Sequence, residues 1–452
     1  MKEKKTVVGQ QPIRDARTLG VPKMLILGLQ HMFAMFGATV LVPILVQSYG
    51  LPLSIQTTLF FAGVGTLFFH FCTKMKVPAF LGSSFAFLGG FAAMGAMDQG
   101  IYAAMDASEK LQYACGGIVA AGLLYVVLAA IIKAVGVHRV MHYLPPVVTG
   151  PIIILIGLNL APSAVSNAST CWWLALVAMA IIIVANIWGK GMIKIIPILL
   201  GVVGSYIVAL IAGKVDFSTM EGVAIVGLQP FFTDFGGSIA KFDISAILVM
   251  APIAIASMME HIGDMSAISA TVGENFIEDP GLHRTLIGDG IATSLSALFG
   301  GPANTTYGEN TGVLVLSKVH DPRVIRLAAV YALVLSFSPW FAAFINSIPA
   351  AIIGGVSFIL YGMISAIGVR NVVENQVDFT NSRNLIIAAV ILVCGLGFTG
   401  GLTFQVGGAS ITLTSLAIAA IAGIILNAIL PGNDFHFGKS ANSDASANLG
   451  QY

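Results

Sequence analysis

Four acidic residues stand inside long apolar stretches of this chain: Glu260, Asp264, Asp289 and Glu309. A carboxylate at the centre of an isolated membrane helix costs roughly 2.5–3.5 kcal/mol, so four represent on the order of 10 kcal/mol unless they share a polar interior. Glu260 and Asp264 are four residues apart and so share one helical face. His261 projects about 100° away from that face and is the weaker candidate. A buried carboxyl beside another can hold a proton and release it when its surroundings open. An ionised carboxylate accepts N–H donors. Together these suit the binding of a small solute rich in N–H groups and the movement of a proton with it. The alternative is that an acid merely bonds Ser, Thr or backbone inside a bundle. For Asp289, flanked by Gly288 and Gly290, that alternative stands level with a supporting role at a site.

Other polar residues are more ambiguous. Gln30 and His31 precede the run Phe36-Gly37-Ala38-Thr39. An intramembrane His either bonds from helix to helix or serves transport, and both readings stay open. His70 reads as bundle packing. Tyr361 lines a cavity or packs in a core with its hydroxyl bonded. Two stretches do not read as helices: Gly82-Ser83-Ser84-Phe85-Ala86-Phe87 and the run from Gly300 to Asn310. Thr, Tyr and Asn in the second suit extended backbone better than helix. Such backbone is tolerated at membrane depth only when buried in protein or lining a cavity. Two short strands, one from each half, would pair and leave N–H groups at their ends for a ligand. The alternative is an interfacial loop with a Gly-Pro break.

The elements that must hold these residues are membrane helices. Of the 452 residues, 57% are hydrophobic and 10% charged, where a soluble domain carries about 25% charged. The mean hydropathy is +0.90. The apolar runs are continuous rather than alternating, which selects helices over a barrel. Candidate spans lie near 23–48, 54–74, 78–97, 111–134, 143–161, 171–189 and 193–213. After a polar stretch from Lys214 to Phe242, further spans lie near 243–265, 284–300, 302–318, 324–346, 349–368, 382–399 and 409–430. With both ends inside, all but Lys110, Lys214 and Lys241 of the 22 basic residues fall on the cytoplasmic side. Seven spans per half is odd, so the halves must be inverted repeats, an architecture of transporters. Pro145 and Gly150 echo Pro349 and Gly354, and Pro78-Ala79 echoes Pro302-Ala303. The expected fold is therefore all-α and polytopic, with 14 transmembrane segments as 7+7 inverted repeats and short antiparallel strands in segments 3 and 10. Residues 1–22 form a cytoplasmic N-terminal segment without signal-peptide features. Residues 23–431 form the transporter domain, and 432–452 a disordered cytoplasmic tail.

Other classes of function find less support. The net charge of +1 gives no reason to expect nucleic acid. The four cysteines have no paired spacing, so neither a disulfide framework nor a metal site is implied, and no cofactor is expected. No HExxH or nucleophile–base set points to an enzyme. A channel or anion transporter would want a cation deep in a span, where the sequence has none.

At these residues the chain resembles the nucleobase–ascorbate transporter family, on its uracil branch. The resemblance runs from about Val21 to Pro431. It is carried by the first-span run Leu29 to Pro43, by Pro78 to Phe87, and by Asn304-Thr305-Thr306-Tyr307-Gly308-Glu309-Asn310. Glu260-His261-Ile262-Gly263 and Pro280-Gly281-Leu282-His283-Arg284 add to it. It implies a core of segments 1–4 and 8–11 and a gate of segments 5–7 and 12–14. It implies proton symport of uracil across the bacterial inner membrane, with a homodimer possible for the family. Uracil's two N–H donors would meet Glu260 and Glu309, and its carbonyls the backbone at Phe85 and Gly308. Ala38, Ser84, Tyr307 and Tyr361 would line the pocket. Glu260, Asp264 and Glu309 would couple the proton, supported by His31, Asp289 and Asn310. Glu309 matches the uracil branch, where purine carriers have Gln. The motif after Glu309 ends Ser317-Lys318 rather than in Thr and a basic residue. Asp264 stands where a uracil carrier has a proton-coupling His, and Asp289 matches an acid of the purine branch. A xanthine or urate carrier is thus the alternative within the family.

Overall fold

The computed structural model describes residues 12–98, 100–227, 239–406 and 409–433. They are mostly helical. In chain order come α1 (Val21–Ser48), α2 (Ile55–Cys72), α3 (Leu88–Gly95), α4 (Ala107–Val135), α5 (Val137–Tyr143), α6 (Pro146–Ser169), α7 (Trp172–Ile187), α8 (Met192–Ile195) and α9 (Pro197–Ile211). Beyond the polar stretch come α10 (Ile244–Met250), α11 (Ile253–Val272), α12 (Leu282–Leu298), α13 (Gly308–Ser317), α14 (Pro322–Ser336), α15 (Pro339–Asn346), α16 (Ala350–Glu374), α17 (Ser382–Gly397) and α18 (Ser415–Ile429). Four short strands complete the set: β1 (Leu81–Ser83), β2 (Asn304–Thr306), β3 (Leu402–Val406) and β4 (Ala409–Leu413).

Local chemistry sets many of the boundaries. Ser54 caps α2 by accepting from Thr57 N, and Asp106 caps α4 by accepting from Glu109 N at 2.7 Å. Pro22, Pro146, Pro197, Pro322 and Pro339 fall in first turns, where a missing N–H costs nothing. Pro339 also stops the span expected near 324–346 from running straight. There α14 and α15 meet at 88°, and Ser338 caps the second piece through Phe341 N. Among the described residues, six helical stretches are long and apolar enough to cross a membrane, or seven if that bent pair counts as one. Their outward faces are apolar too. On α7, Trp172, Trp173, Leu176, Ile183, Val184 and Ile187 are exposed, a surface suited to lipid rather than water.

The two stretches that do not read as helices are extended. β1 and β2 pair antiparallel, with Leu81 opposite Thr306, Gly82 opposite Thr305 and Ser83 opposite Asn304. The ladder continues past both ends: Ser84 N donates to Ala303 O at 2.8 Å and Tyr307 N to Phe80 O at 3.0 Å. Each strand then turns into a half-length helix, β1 through a 3-10 turn (Phe85–Phe87) into α3, and β2 directly into α13. One expectation needs correction. The segment expected as a span near 409–430 opens as a strand, so the strands are not confined to segments 3 and 10. β3 and β4 form a hairpin, Leu402 opposite Leu413 through Val406 opposite Ala409. Leu402-Thr403-Phe404-Gln405-Val406 alternates apolar with polar residues, the pattern of a strand.

The expected N-terminal segment is docked where it is described. Ile13 N donates to Lys318 O and His320 N to Ile13 O, at 2.8 and 2.9 Å. Ala16, fully buried, donates its N–H to Asp321 Oδ2 at 2.7 Å. Arg14 pairs with Glu274, and Arg323 reaches Asp15 at 3.1 Å. The segment thus straps the ends of α11, α13 and α14 together. The tail from 434 onward lies outside the described residues.

Candidate functional site

In an antiparallel ladder only alternate pairs bond across the strands, and the other pairs turn their N–H and C=O groups outward. Here Gly82 and Thr305 are the inward pair, so Leu81 and Asn304 present their groups to the outer edges. Buried edges need partners. Each edge is met by one threonine. Thr66 Oγ1 on α2 accepts from Leu81 N at 2.9 Å and donates to Leu81 O at 3.2 Å. Thr293 Oγ1 on α12 accepts from Asn304 N at 3.1 Å and donates to Asn304 O at 3.0 Å. Asn304 Nδ2 further donates to Phe61 O at 3.2 Å. The Tyr307 ring lies flat on β1 and its hydroxyl donates to Ser83 O at 2.9 Å. Only glycine fits beneath that ring, since a Cβ at Gly82 would lie 2.4 Å from it.

The strand pair faces α11. Asp264, almost wholly buried, accepts from Thr306 Oγ1 at 3.0 Å, which clasps the helix to the end of β2. Gly308 opens α13 beside it; a Cβ there would be 3.5 Å from Asp264 Oδ1. Tyr307 caps α13 without a side-chain bond. The first-turn N–H groups, which a helix cannot bond itself, lie at the end of α13 nearest Asp264. Glu260 is one turn before Asp264 on α11 and is partly buried. Glu309 has its backbone in the first turn of α13, and its side chain lies outside the described residues.

At the end of β1, Ser84 and Phe85 turn the chain into α3. The Ser84 and Ser257 hydroxyls are 3.4 Å apart. The Phe85 ring meets Tyr361 of α16 edge to face, centroids 5.9 Å apart at 75°. Both rings are buried, as is Ala38 on α1. An apolar crevice against α1 is lined by Gly37, Val40, Leu199 and Val356 among others. His31 takes the helix-bonding role. Asn310 Nδ2 donates to the His31 carbonyl at 3.2 Å and approaches Nδ1 at 3.3 Å. This fixes α13 to α1 one residue after Glu309.

The fold therefore gathers Phe85, Ser84, Glu260, Asp264, Tyr307 and Gly308 around the strand ends. Ala38, Tyr361, His31 and Asn310 come from the elements packed against them. Asp289 is placed elsewhere, behind α11, where its Oδ2 is 2.8 Å from His261 Nδ1. Sequence reasoning missed Thr66, Thr293, Thr306 and Ser257. Threonine and serine are common in membrane helices, and only the register of the strands makes Thr66 and Thr293 distinctive.

The sequence pattern described as the Permease family matches residues 22–403. The uracil permease of Bacillus caldolyticus is 43% identical over 429 residues, covering 93% of this chain and 94% of that protein. The uracil permease of Bacillus subtilis (strain 168) is 41% identical over 416 residues, covering 89% and 91%. Among solved structures, the transmembrane domain of a cyanobacterial bicarbonate transporter, BicA, has a similar fold. The TM-score is 0.56 at 16% identity, over 92% of this chain and 99% of that one.

Proposed function

Because the chain belongs to the Permease family, here the nucleobase–ascorbate transporters, we propose that it carries uracil through the bacterial inner membrane by proton symport. The observation that carries the reading is the β1–β2 pair with Asp264 clasped to Thr306. It brings two backbone turns and the acid-bearing face of α11 to one buried place. Uracil is a planar ring with two N–H donors and two carbonyls. Backbone N–H groups at Phe85 and Gly308 serve the carbonyls, and Glu260 and Glu309 accept the N–H donors. Phe85 and Tyr361 give the ring aromatic surfaces, with Ala38, Ser84 and Tyr307 completing the walls. Acids at the strand ends suit a donor-rich neutral base and disfavour an anion.

The proton moves on the set Glu260, Asp264 and Glu309, which titrates as a unit. Asp264 holds β2 through Thr306, so a change in its charge acts directly on the strand that ends at Gly308. Fourteen segments in two inverted sevens are supported by contacts that exchange between halves. α2 packs on α14 as α12 packs on α4, and Thr66 holds β1 as Thr293 holds β2. The long contact of α6 with α16 runs between echoing glycines: a Cβ at Gly150 would meet Val372, and one at Gly354 would meet Ala168. The core (segments 1–4 and 8–11) moves against the gate (segments 5–7 and 12–14), with both termini cytoplasmic, in a monomer or homodimer.

Reconstituted protein and radiolabelled uracil test the reading. Uptake is expected to rise with an inward proton gradient and to resist excess xanthine. Full uptake without dependence on the gradient would remove the coupling. Xanthine uptake without uracil uptake would reassign the substrate to the purine branch, which Asp289 otherwise resembles.

A further inference from the structure

His261 occupies the face of α11 turned away from Glu260 and Asp264. Its Nδ1 is 2.8 Å from Asp289 Oδ2 on α12, and neither side chain has any solvent exposure. Its Nε2 is 3.0 Å from the Thr285 hydroxyl. That hydroxyl donates its own proton to Leu282 O, also at 3.0 Å. A hydroxyl has one proton to give. With its proton on Leu282 O, Thr285 accepts from the ring, and Nε2 then carries a hydrogen. Nδ1 then faces Asp289 across one further proton. The pair is either imidazolium with carboxylate or imidazole with carboxylic acid, and in both forms its net charge is zero. Without that proton, a ring lone pair would face an ionised carboxylate with no water to solvate either, an arrangement a dry interior strongly disfavours.

The surroundings seal the pair. From α2, the Phe69 ring lies against His261 with centroids 6.3 Å apart, while His70 is turned to Ala79 O at 2.9 Å. From α4 comes Tyr125, fully buried against Gly290, with Asp289 and Glu260 among its electrostatic neighbours. Arg284, on α12 itself, turns to Cys72 O at 3.2 Å. On α11, Glu260 is next in the chain but on the site-facing side.

We propose that His261 and Asp289 form a one-proton clamp that fixes the rotation of α11 against α12, and that the proton they share stays in place throughout transport. Both are positioning residues: they aim Glu260 and Asp264 at the strand ends and carry no transported proton. This rests on the reading of the protein as a proton–uracil symporter. It separates Asp289 from the acids that carry the proton in the cycle.

Asp289→Asn tests it. The amide can donate to Nδ1 in place of the shared proton, so gradient-driven uptake is expected within about twofold of the parent, with the same pH profile. Asp289→Ala leaves a ring nitrogen unpaired and is expected to lower both binding and uptake by about tenfold or more, the usual effect of one orphaned buried polar group. An Asn variant that binds uracil normally but has lost gradient-driven accumulation makes Asp289 a carrier and overturns the proposal. Selective ¹⁵N labelling of histidine decides independently of any variant. His261 is expected to keep Nε2 protonated and to show the same ring ¹⁵N pattern with and without uracil. A His261 ring whose protonation pattern changes when uracil binds overturns the clamp. If the parent protein fails to accumulate uracil at all, the transport reading fails, while the ¹⁵N result still rules on the clamp.

Discussion

Thr66→Val removes one oxygen and keeps the shape of the side chain. In the folded protein that oxygen accepts from Leu81 N and donates to Leu81 O, on the outer edge of β1. Leu81 is in an outward-facing pair of the ladder, so β2 supplies no substitute. Leu81 and Thr66 are both fully buried, so water supplies none either. Two orphaned backbone groups at about 1–3 kcal/mol each give a destabilisation of roughly 2–6 kcal/mol. Thr66→Ser keeps the hydroxyl and is expected to lose under about 1 kcal/mol, chiefly for the missing methyl. Unfolding titrations from mild detergent into SDS read the difference, and equilibrium uracil binding reads whether the end of β1 has shifted. A Val variant as stable as the parent, with unchanged affinity, would refute the reasoning. It would mean that the strand edge is satisfied by a group other than Thr66.

Other perturbations separate the proposed roles. Glu309→Gln is expected to abolish uracil binding in equilibrium assays, and unchanged affinity would take Glu309 out of the site. Asp264→Asn can still accept from Thr306, so binding should survive better than gradient-driven uptake; if binding fails first, Asp264 is a ligand rather than a proton carrier. Asn310→Ala releases α13 from His31 and is expected to weaken binding by about tenfold, the range for one lost buried hydrogen bond partner. At the N-terminal strap, the Arg17 guanidinium holds the Asp15 carboxyl down at about 2. A lowered carboxyl stabilises the fold above its unfolded value near 3.9 and loses that contribution as pH falls toward the folded one. Protection of residues 13–20 against hydrogen exchange, taken relative to the intrinsic rate at each pH, should therefore be level from about pH 5 upward and be lost only in stronger acid.

The sequence made the site legible where physical cost made it conspicuous. Four acids in apolar surroundings demanded a polar interior, and the run from Gly300 to Asn310 was too polar and too poor in helix formers to be a span. Those two constraints located the strand pair and α11 before any fold was in view. Register was another matter. That Leu81 rather than Gly82 faces outward depends on pairing with Thr306 across the chain, so Thr66 and Thr293 carried no mark. The angle between His261 and Glu260 sets the histidine off the face that carries Asp264, and in the structure it lies against α12. What waited on the far side, Asp289, depends on how α12 packs. The β3–β4 hairpin was missed, because the apolar run behind it drew the boundary of the last span too early.

The pairing of β1 with β2 has a consequence for how the protein is made. Leu81 leaves the ribosome long before Thr306, which lies beyond the middle of the chain. Until then β1 has Thr66 on one edge and nothing on the other, in a segment too short and too irregular to cross a bilayer as a helix. The first half of the chain must therefore enter the membrane with an unfinished element, held at the insertion machinery or shielded by its neighbours. Completion comes only when the second half arrives with its mirror-image need. Each half thus completes the strand of the other, and the proposed substrate site is the seam along which they join.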